Sequence, residues 1–406
     1  MQSDCIILGG GAAGLAACAA LAKAGMRITL VERLDRVGKK IMAAGNGRCN
    51  LSNKNMDAAC YGKAAPFVSR VYEKTPPQEV LSFFSDLGLM TSSEEGRIYP
   101  RTMMASSVLD VLRAGCEQEN VQILTGQEVV SLTPSRRGGW SIQLSCGEGI
   151  FAPIAICAMG GSASPHLGTD GTGVRLLQSL GHSAGRQYPA LVQLKCDHGA
   201  LRSLKGIRVQ AALTLEIDGK PAAQETGELL FADYGVSGVC VFQLSGLAAQ
   251  ALGDRKTVRL LVNLLPEIKD IPAWLSTRIA SRPKQSALSL FTGVFPRLLT
   301  MAILKEAGIS PEAQVTRLRS AQVSALAQTI AALALPVTGT QGFKNAQVTR
   351  GGILLDEIEP ETMASRLFDG LYILGETLDV DGLCGGYNLH FAFASALTAA
   401  NAISSR

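Results

Sequence analysis

The chain of 406 residues is 47% hydrophobic and 18% charged, which excludes an intrinsically disordered protein and points to two or three globular domains. Lysine plus arginine outnumber aspartate plus glutamate by 38 to 34, an excess that reads as small and spread along the chain, so no nucleic-acid partner is expected. The ten cysteines include no C-x-x-C pair and no zinc spacing with histidine, so reduced thiols, no bound metal and a cytoplasmic setting are expected.

Residues 5–22 are apolar, but they follow Asp4, lack a basic leader and are broken by Gly9, Gly10, Gly11 and Gly14, so a soluble protein is expected. Residues 4–8 suit a buried parallel strand. The next six, Gly9-Gly10-Gly11-Ala12-Ala13-Gly14, fit G-x-G-x-x-G and open an Ala/Leu-rich helix to Lys23; Gly25 ends it, and residues 26–31 form a second strand closed by Glu32. In this arrangement Gly9 permits the turn, Gly11 lets backbone approach a pyrophosphate, and Gly14 lets helix pack on strand. The helix N-terminus offers unpaired N–H groups and partial positive charge to phosphates. Glu32 is placed to take both hydroxyls of an adenosine ribose, which disfavours a 2′-phosphate; the site by itself leaves NAD and FAD open.

Residues 38–53, GKKIMAAGNGRCNLSN, show neither helical nor strand periodicity. Residues 151–158 read as an apolar strand ending in Met159-Gly160-Gly161, followed by GTDGTG (168–173) and a helix to Gly181. From about 190 to 345 the pattern changes. Val209, Ala211, Leu213, Leu215 and Ile217 alternate with mostly polar neighbours before an Asp218-Gly219 hairpin turn. With residues 227–242 and 257–264, this reads as an antiparallel, barrel-like domain. Residues 271–335 show helical periodicity broken at Pro283, Pro296 and Pro311.

Near the C-terminus, residues 370–376 read as strand, glycine, acid, and Gly385-Gly386-Tyr387-Asn388 opens a small-residue helix over about 389–403. FAD is longer than one βαβ unit can cover, and a second helix N-terminus suits the pyrimidine end of a flavin. The expected fold is therefore α/β: a Rossmann-like, two-dinucleotide-binding FAD domain (1–189 and 348–406). An antiparallel β-barrel-like domain (190–265 and 336–347) and a small helical domain (266–335) interrupt it. An insert of this kind is expected to cap the flavin ring and supply the substrate cavity.

The segments GGGAAGLAAC (9–18), GKKIMAAGNGRCNLSN (38–53), GRIYP (96–100), GTDGTG (168–173), TGELLFADYGVSG (226–238), VTRGG (348–352) and GETLDVDGLCGGYNLHFAFASA (375–396) resemble, in order, a bacterial flavoprotein family. These are the aminoacetone-oxidase-family or NAD(P)/FAD-dependent oxidoreductases, among them clostridial NADH-dependent 3-dehydro-bile-acid reductases. The resemblance implies non-covalent FAD lying along the 38–53 loop. Gly9, Gly11, Ala12, Ala13, Gly14, Glu32 and Arg33 would meet the adenosine and pyrophosphate. Lys39 or Lys40 would reach adenosine or phosphate, and Asn46, Gly47, Arg48 and Asn50 the ribityl chain and ring edge. Cys49 belongs to the same stretch and looks structural. Further contacts would come from Val129, Met159, Gly160, Gly161, Gly375, Glu376, Gly385, Gly386, Tyr387 and Asn388. Met159 departs from the threonine common in related flavoproteins, and Glu376 from the aspartate of wider relatives.

No second G-x-G-x-x-G follows a strand, so NADH or NADPH would dock transiently as co-substrate. The favoured activity is an NAD(P)H-linked reductase passing hydride to an activated C=C bond of a small apolar substrate, bile-acid or steroid-enone-like. The alternatives are an amine oxidase yielding hydrogen peroxide and a flavin-binding interaction protein with little turnover. Tyr99, Arg101, Tyr387 and His390 are the expected proton donors.

Overall fold

In the computed structural model, residues 3–197, 199 and 201–405 are described. The chain forms two units, 1–188 with 347–406, and 189–346 between them.

The first unit is built on a parallel sheet. Its strands run in the order Leu371–Ile373, Ile154–Cys157, Cys5–Leu8, Ile28–Glu32 and Val121–Thr125, and two short antiparallel strands extend it beyond Leu371–Ile373. Cys5–Leu8 and Ile154–Cys157 are apolar at every position, as strands covered on both faces require. Leu8 pairs with both Val31 and Cys157, so three strand ends open together at Gly9, Glu32 and Ala158. The helices Ala12–Lys23 and Tyr387–Ser404 pack against each other. A Cβ on Gly375 would lie 3.3 Å from that of Ala13, a close approach that brings the C-terminal segment to the first helix.

Two expected strands are corrected. Residues 151–158 are not one strand: Pro153 has no N–H for a ladder and divides Gly149–Ala152, which joins a three-stranded antiparallel sheet, from Ile154–Cys157 in the parallel one. Residues 227–242 are not all extended either, because the helix Val239–Gly253 begins just after Gly238.

In the second unit, six strands close into a barrel: Leu194–Cys196, Gly235–Ser237, Lys220–Ala232, Arg208–Ile217, Val258–Asn263 and Leu333–Thr340. Ala211, Leu213 and Leu215 face inward and are buried, as their alternation requires. Asp218 and Gly219 both have positive φ, the geometry of a two-residue hairpin turn. Helices Ile271–Ser281, Ala287–Leu290, Arg297–Glu306 and Ser320–Ala331 complete the unit. Among the described residues, no helix is long and apolar enough to cross a membrane.

Candidate functional site

The N-terminal turn is shaped by collisions that only glycine avoids. A Cβ on Gly9 would sit 2.5 Å from the Ala158 carbonyl oxygen, and one on Gly14 only 1.9 Å from the Gly9 oxygen. Gly11 is different: a Cβ there meets nothing within 4 Å, so its face is open to a ligand. It caps the helix Ala12–Lys23, whose N-terminus has no side-chain cap and leaves its first amides unspent.

Glu32, 9% exposed, has a task inside the protein. One oxygen accepts the Gly10 N–H at 2.9 Å and the other the Leu34 N–H at 2.9 Å, so the carboxylate braces the turn it was expected only to serve as a ribose ligand. Arg33 is turned to Asp170 at 2.8 Å. Burial raises the Asp170 pKa, but hydrogen bonds from Thr172 and Arg33 outweigh it and bring it to about 2. Val129 is buried at the start of an antiparallel strand.

The 38–53 segment, which shows no periodicity in the sequence, holds the short helix Lys39–Ala43 and the strand Ser52–Asn53, with left-handed backbone at Gly38, Gly45, Asn46, Gly47 and Cys49. Lys39 pairs with Asp35 at 2.5 Å, and Lys40 reaches across the unit to Glu376 at 2.8 Å. Arg48 lies over the Tyr99 ring at 5.0 Å and pairs with Glu94 at 3.2 Å. Cys49 has no exposure and burial pushes its thiol up to about 12, which makes it a protonated core side chain. The Asn50 side-chain oxygen is buried without a hydrogen-bond partner, 2.8 Å from where a Cβ on Gly386 would stand.

Thr349 joins the middle and C-terminal segments. Its Oγ1 accepts the N–H groups of Ser162 (2.8 Å) and Ala163 (2.9 Å), while its own N–H donates to Glu376 at 2.9 Å. A Cβ on Gly161 would lie 2.4 Å from that hydroxyl and 3.0 Å from the Glu376 carboxylate. Gly160 donates its N–H to Thr377 at 3.0 Å, and Met159 fills the space beside Gly173. In the sequence, the signal for Thr349 is a hydroxyl two residues before a pair of glycines, in Thr349-Arg350-Gly351-Gly352.

At the C-terminal turn, a Cβ on Gly386 would sit 2.4 Å from the Ser52 carbonyl oxygen, so protein backbone is the first thing it meets. Gly385 offers its carbonyl to Asn53 at 2.9 Å. The Asn388 amide is committed to Gly382, accepting its N–H at 2.8 Å and donating to its carbonyl at 2.9 Å.

The four expected proton donors differ in their surroundings. Tyr99 is buried under Arg48, and Arg101 is exposed on the turn after Pro100. Tyr387 donates to the Asn55 carbonyl at 3.3 Å, and burial pushes its hydroxyl up to about 12. His390 has no exposure; its Nδ1 meets Ser52 Oγ at 2.8 Å, its Nε2 has no partner, and burial lowers its pKa to about 3. A neutral imidazole cannot act there as an imidazolium donor. Two acids of the C-terminal segment are paired with bases: Asp379 with Lys63 at 2.6 Å, and Asp381 with Arg350 at 3.0 Å.

In the second unit the basic excess proves local. Residues 271–335 hold seven Lys and Arg against two Asp and Glu, net +5 in a chain of net +4, so the rest of the chain is −1. No acid occurs between 271 and 305. A shallow groove of about 380 Å³ on the helix Ile271–Ser281 is lined by Trp274, Arg278 and Arg282. Arg278 lies 5.4 Å from the centre of the Trp274 ring and is held by the Leu290 carbonyl at 2.6 Å. Burial, then the neighbouring Arg282 charge, lowers its pKa.

The chain is 38% identical over 405 residues to the 3-dehydro-bile acid delta(4,6)-reductase of Clostridium scindens, covering 98% of each. It is 28% identical over 398 residues to the ribosomal RNA dihydrouridine synthase of Escherichia coli, covering 97% of this chain and 96% of the other. In fold it is similar to the 3-ketosteroid delta1-dehydrogenase of Sterolibacterium denitrificans, with a TM-score of 0.54 at 14% identity, covering 100% of this chain and 99% of that one. The model of the HI0933-like protein Rossmann domain matches residues 3–402, and the chain belongs to that family of FAD-dependent oxidoreductases.

Proposed function

We propose that this flavoprotein oxidoreductase is a reductase that saturates a carbon–carbon double bond conjugated to a carbonyl. The observation that carries the reading is the end-to-end similarity to a bile-acid reductase, with the three glycine-bearing segments of the site in place. FAD supplies the hydride when bound. The residues fit that group: the open face of Gly11 and the unspent amides after it suit a pyrophosphate, and the buried Asn50 oxygen suits the imide N–H of a flavin ring. The helix Tyr387–Ser404 would favour negative charge on the pyrimidine. Lys40, Glu376 and Thr349 hold the two glycine segments against each other, and the Thr349 hydroxyl and Glu376 carboxylate would serve the ribityl hydroxyls of that group. NADH or NADPH is the proposed electron donor.

Two substrates fit this chemistry. A 3-oxo-4,6-diene bile acid is an extended enone, and a small apolar substrate of that kind is the first reading. Uracil is the second, since its C5=C6 bond is conjugated to C4=O; the net +5 helical segment and the acid-free groove at Trp274, Arg278 and Arg282 favour an RNA-borne uridine. The test is anaerobic. The flavin is reduced with NADH or NADPH, then mixed with a 3-oxo-4,6-diene bile acid or a uridine-containing ribosomal RNA transcript; the oxidised flavin is mixed with aminoacetone in a separate run. Rapid reoxidation by the dienone with a product two mass units heavier supports the first reading. Dihydrouridine in the transcript, lost in Arg278→Ala/Arg282→Ala, supports the second. Flavin unreactive toward both, or reduced by aminoacetone, overturns the proposal.

A further inference from the structure

The reductase chemistry leaves one proton unassigned, and the segment 379–382 carries two acids that the cofactor contacts do not use. Asp381 and Arg350 are both largely buried, with side chains 14% and 19% exposed, and meet at 3.0 Å. Their backbones are fixed from several sides. Thr349, next to Arg350, is tied to Ser162, Ala163 and Glu376. Gly351 and Gly352 run so close to the carbonyls of Arg186 and Leu378 that a Cβ would fall 2.3 and 2.7 Å from them. Asp379 donates its N–H to the Ile353 carbonyl at 2.9 Å, which lays segment 377–383 along segment 349–353. Asn388 then clamps Gly382, three residues before the Gly385–Gly386 turn. The pair therefore lies between the Glu376–Thr349–Gly161 cluster and the N-terminus of the helix Tyr387–Ser404, the two places that the proposed flavin contacts come from.

The charges around Asp381 are not those of a simple clasp. Arg350 faces it from the strand Val348–Arg350, Lys63 from the turn 58–64, and Asp379 from its own segment. Tyr61 and Tyr387 wall the adjoining Gly382. Burial raises the Asp381 pKa, Arg350 and Lys63 oppose that, and Asp379 adds to it. Burying a second acid beside the first weakens a purely structural tie, whereas it keeps a proton available.

We propose that Asp381, steadied by Arg350, is the acid that protonates the substrate carbon next to the carbonyl. This rests on the reductase reading above. Hydride adds to the far carbon of the C=C bond, and the bond's π electrons move to form an enolate. The O–H bond of the Asp381 carboxyl breaks as a C–H bond forms at the near carbon. The substrate gains two electrons and two hydrogens, and the reduced cofactor is oxidised. Asp381 remains as a carboxylate paired with Arg350, with the Lys63 charge nearby, until solvent restores its proton.

The experiment follows both half-reactions by stopped flow from pH 5 to 9, using a 3-oxo-4,6-diene bile acid as the oxidant. Asp381→Asn should keep the parent's flavin content and reduction by NADH, reoxidise at least a hundredfold more slowly, and lose the limb that titrates above the ordinary carboxylate range. Asp381→Glu should recover part of the rate and Arg350→Lys should shift the limb. If Asp381→Asn does not fold, those two variants carry the test through the limb alone. A variant that reoxidises at the parent rate with the parent pH profile overturns the inference and leaves the reductase reading standing. A parent enzyme whose reduced flavin neither the dienone nor the uridine-containing transcript reoxidises overturns both.

Discussion

Replacing Glu32 by Gln tests whether this carboxylate serves the fold or only the ligand. It changes few atoms, but the amide keeps a single acceptor where two N–H groups, from Gly10 and Leu34, now donate at 2.9 Å each. Two hydrogen bonds to a charged acceptor contribute about 1.5–3 kcal/mol each, and one neutral bond about 1 kcal/mol, so the substitution removes about 2–5 kcal/mol. The new NH₂ also points a donor at a donor in a residue only 9% exposed. Urea unfolding of the apoprotein should show that loss with no flavin present, and FAD titration should show at least tenfold weaker binding, because the glycine turn loses its brace. If apoprotein stability stays within about 0.5 kcal/mol while FAD binding falls, the carboxylate acts on the ribose alone. If neither changes, the register of the whole site is wrong.

Two further substitutions separate packing from ligand contact. Gly11→Ala places a methyl in open space, so apoprotein stability should hold while FAD affinity falls at least tenfold; Gly14→Ala puts it 1.9 Å from a carbonyl oxygen and should lose both. Equal effects of the two in denaturation would refute the assignment of Gly11. His390 has a folded pKa of about 3 against an ordinary value of 6.5, so it binds its proton more readily when unfolded. The stability it contributes is complete above pH 6.5 and is lost as pH falls toward 3. Between pH 7 and 5 that loss is about 2 kcal/mol, and His390→Asn should flatten the urea midpoint over this interval by that amount; an unchanged slope would show that the ring is hydrated in solution.

The N-terminal strand, turn, helix and acid were legible because each is written locally: four apolar residues, glycines at fixed offsets, and an acid at a strand end. The Asp218-Gly219 hairpin was legible for the same reason. Pro153 was a readable breaker passed over inside an apolar run, and the local basic excess was hidden by a whole-chain count. What lay beyond local pattern was the use of side chains across long separations. Lys40 meets Glu376 336 residues away, Thr349 collects the amides of Ser162 and Ala163, and the Asn388 amide is spent on Gly382. No periodicity encodes such partners, which exist only once the sheet has brought its strand ends together.

The divided first unit has a consequence for the order in which the molecule is made. Strand Ile154–Cys157 pairs on one side with Leu371–Ile373, and the helix Ala12–Lys23 packs on Tyr387–Ser404, so neither surface is covered until nearly the whole chain has left the ribosome. The intervening unit is continuous from 189 to 346, and its barrel needs nothing synthesised after Thr340. It is therefore free to fold first, while the earlier residues wait with a bare sheet edge and an apolar helix face. Chaperone demand should peak in that interval and end when the last helix is released.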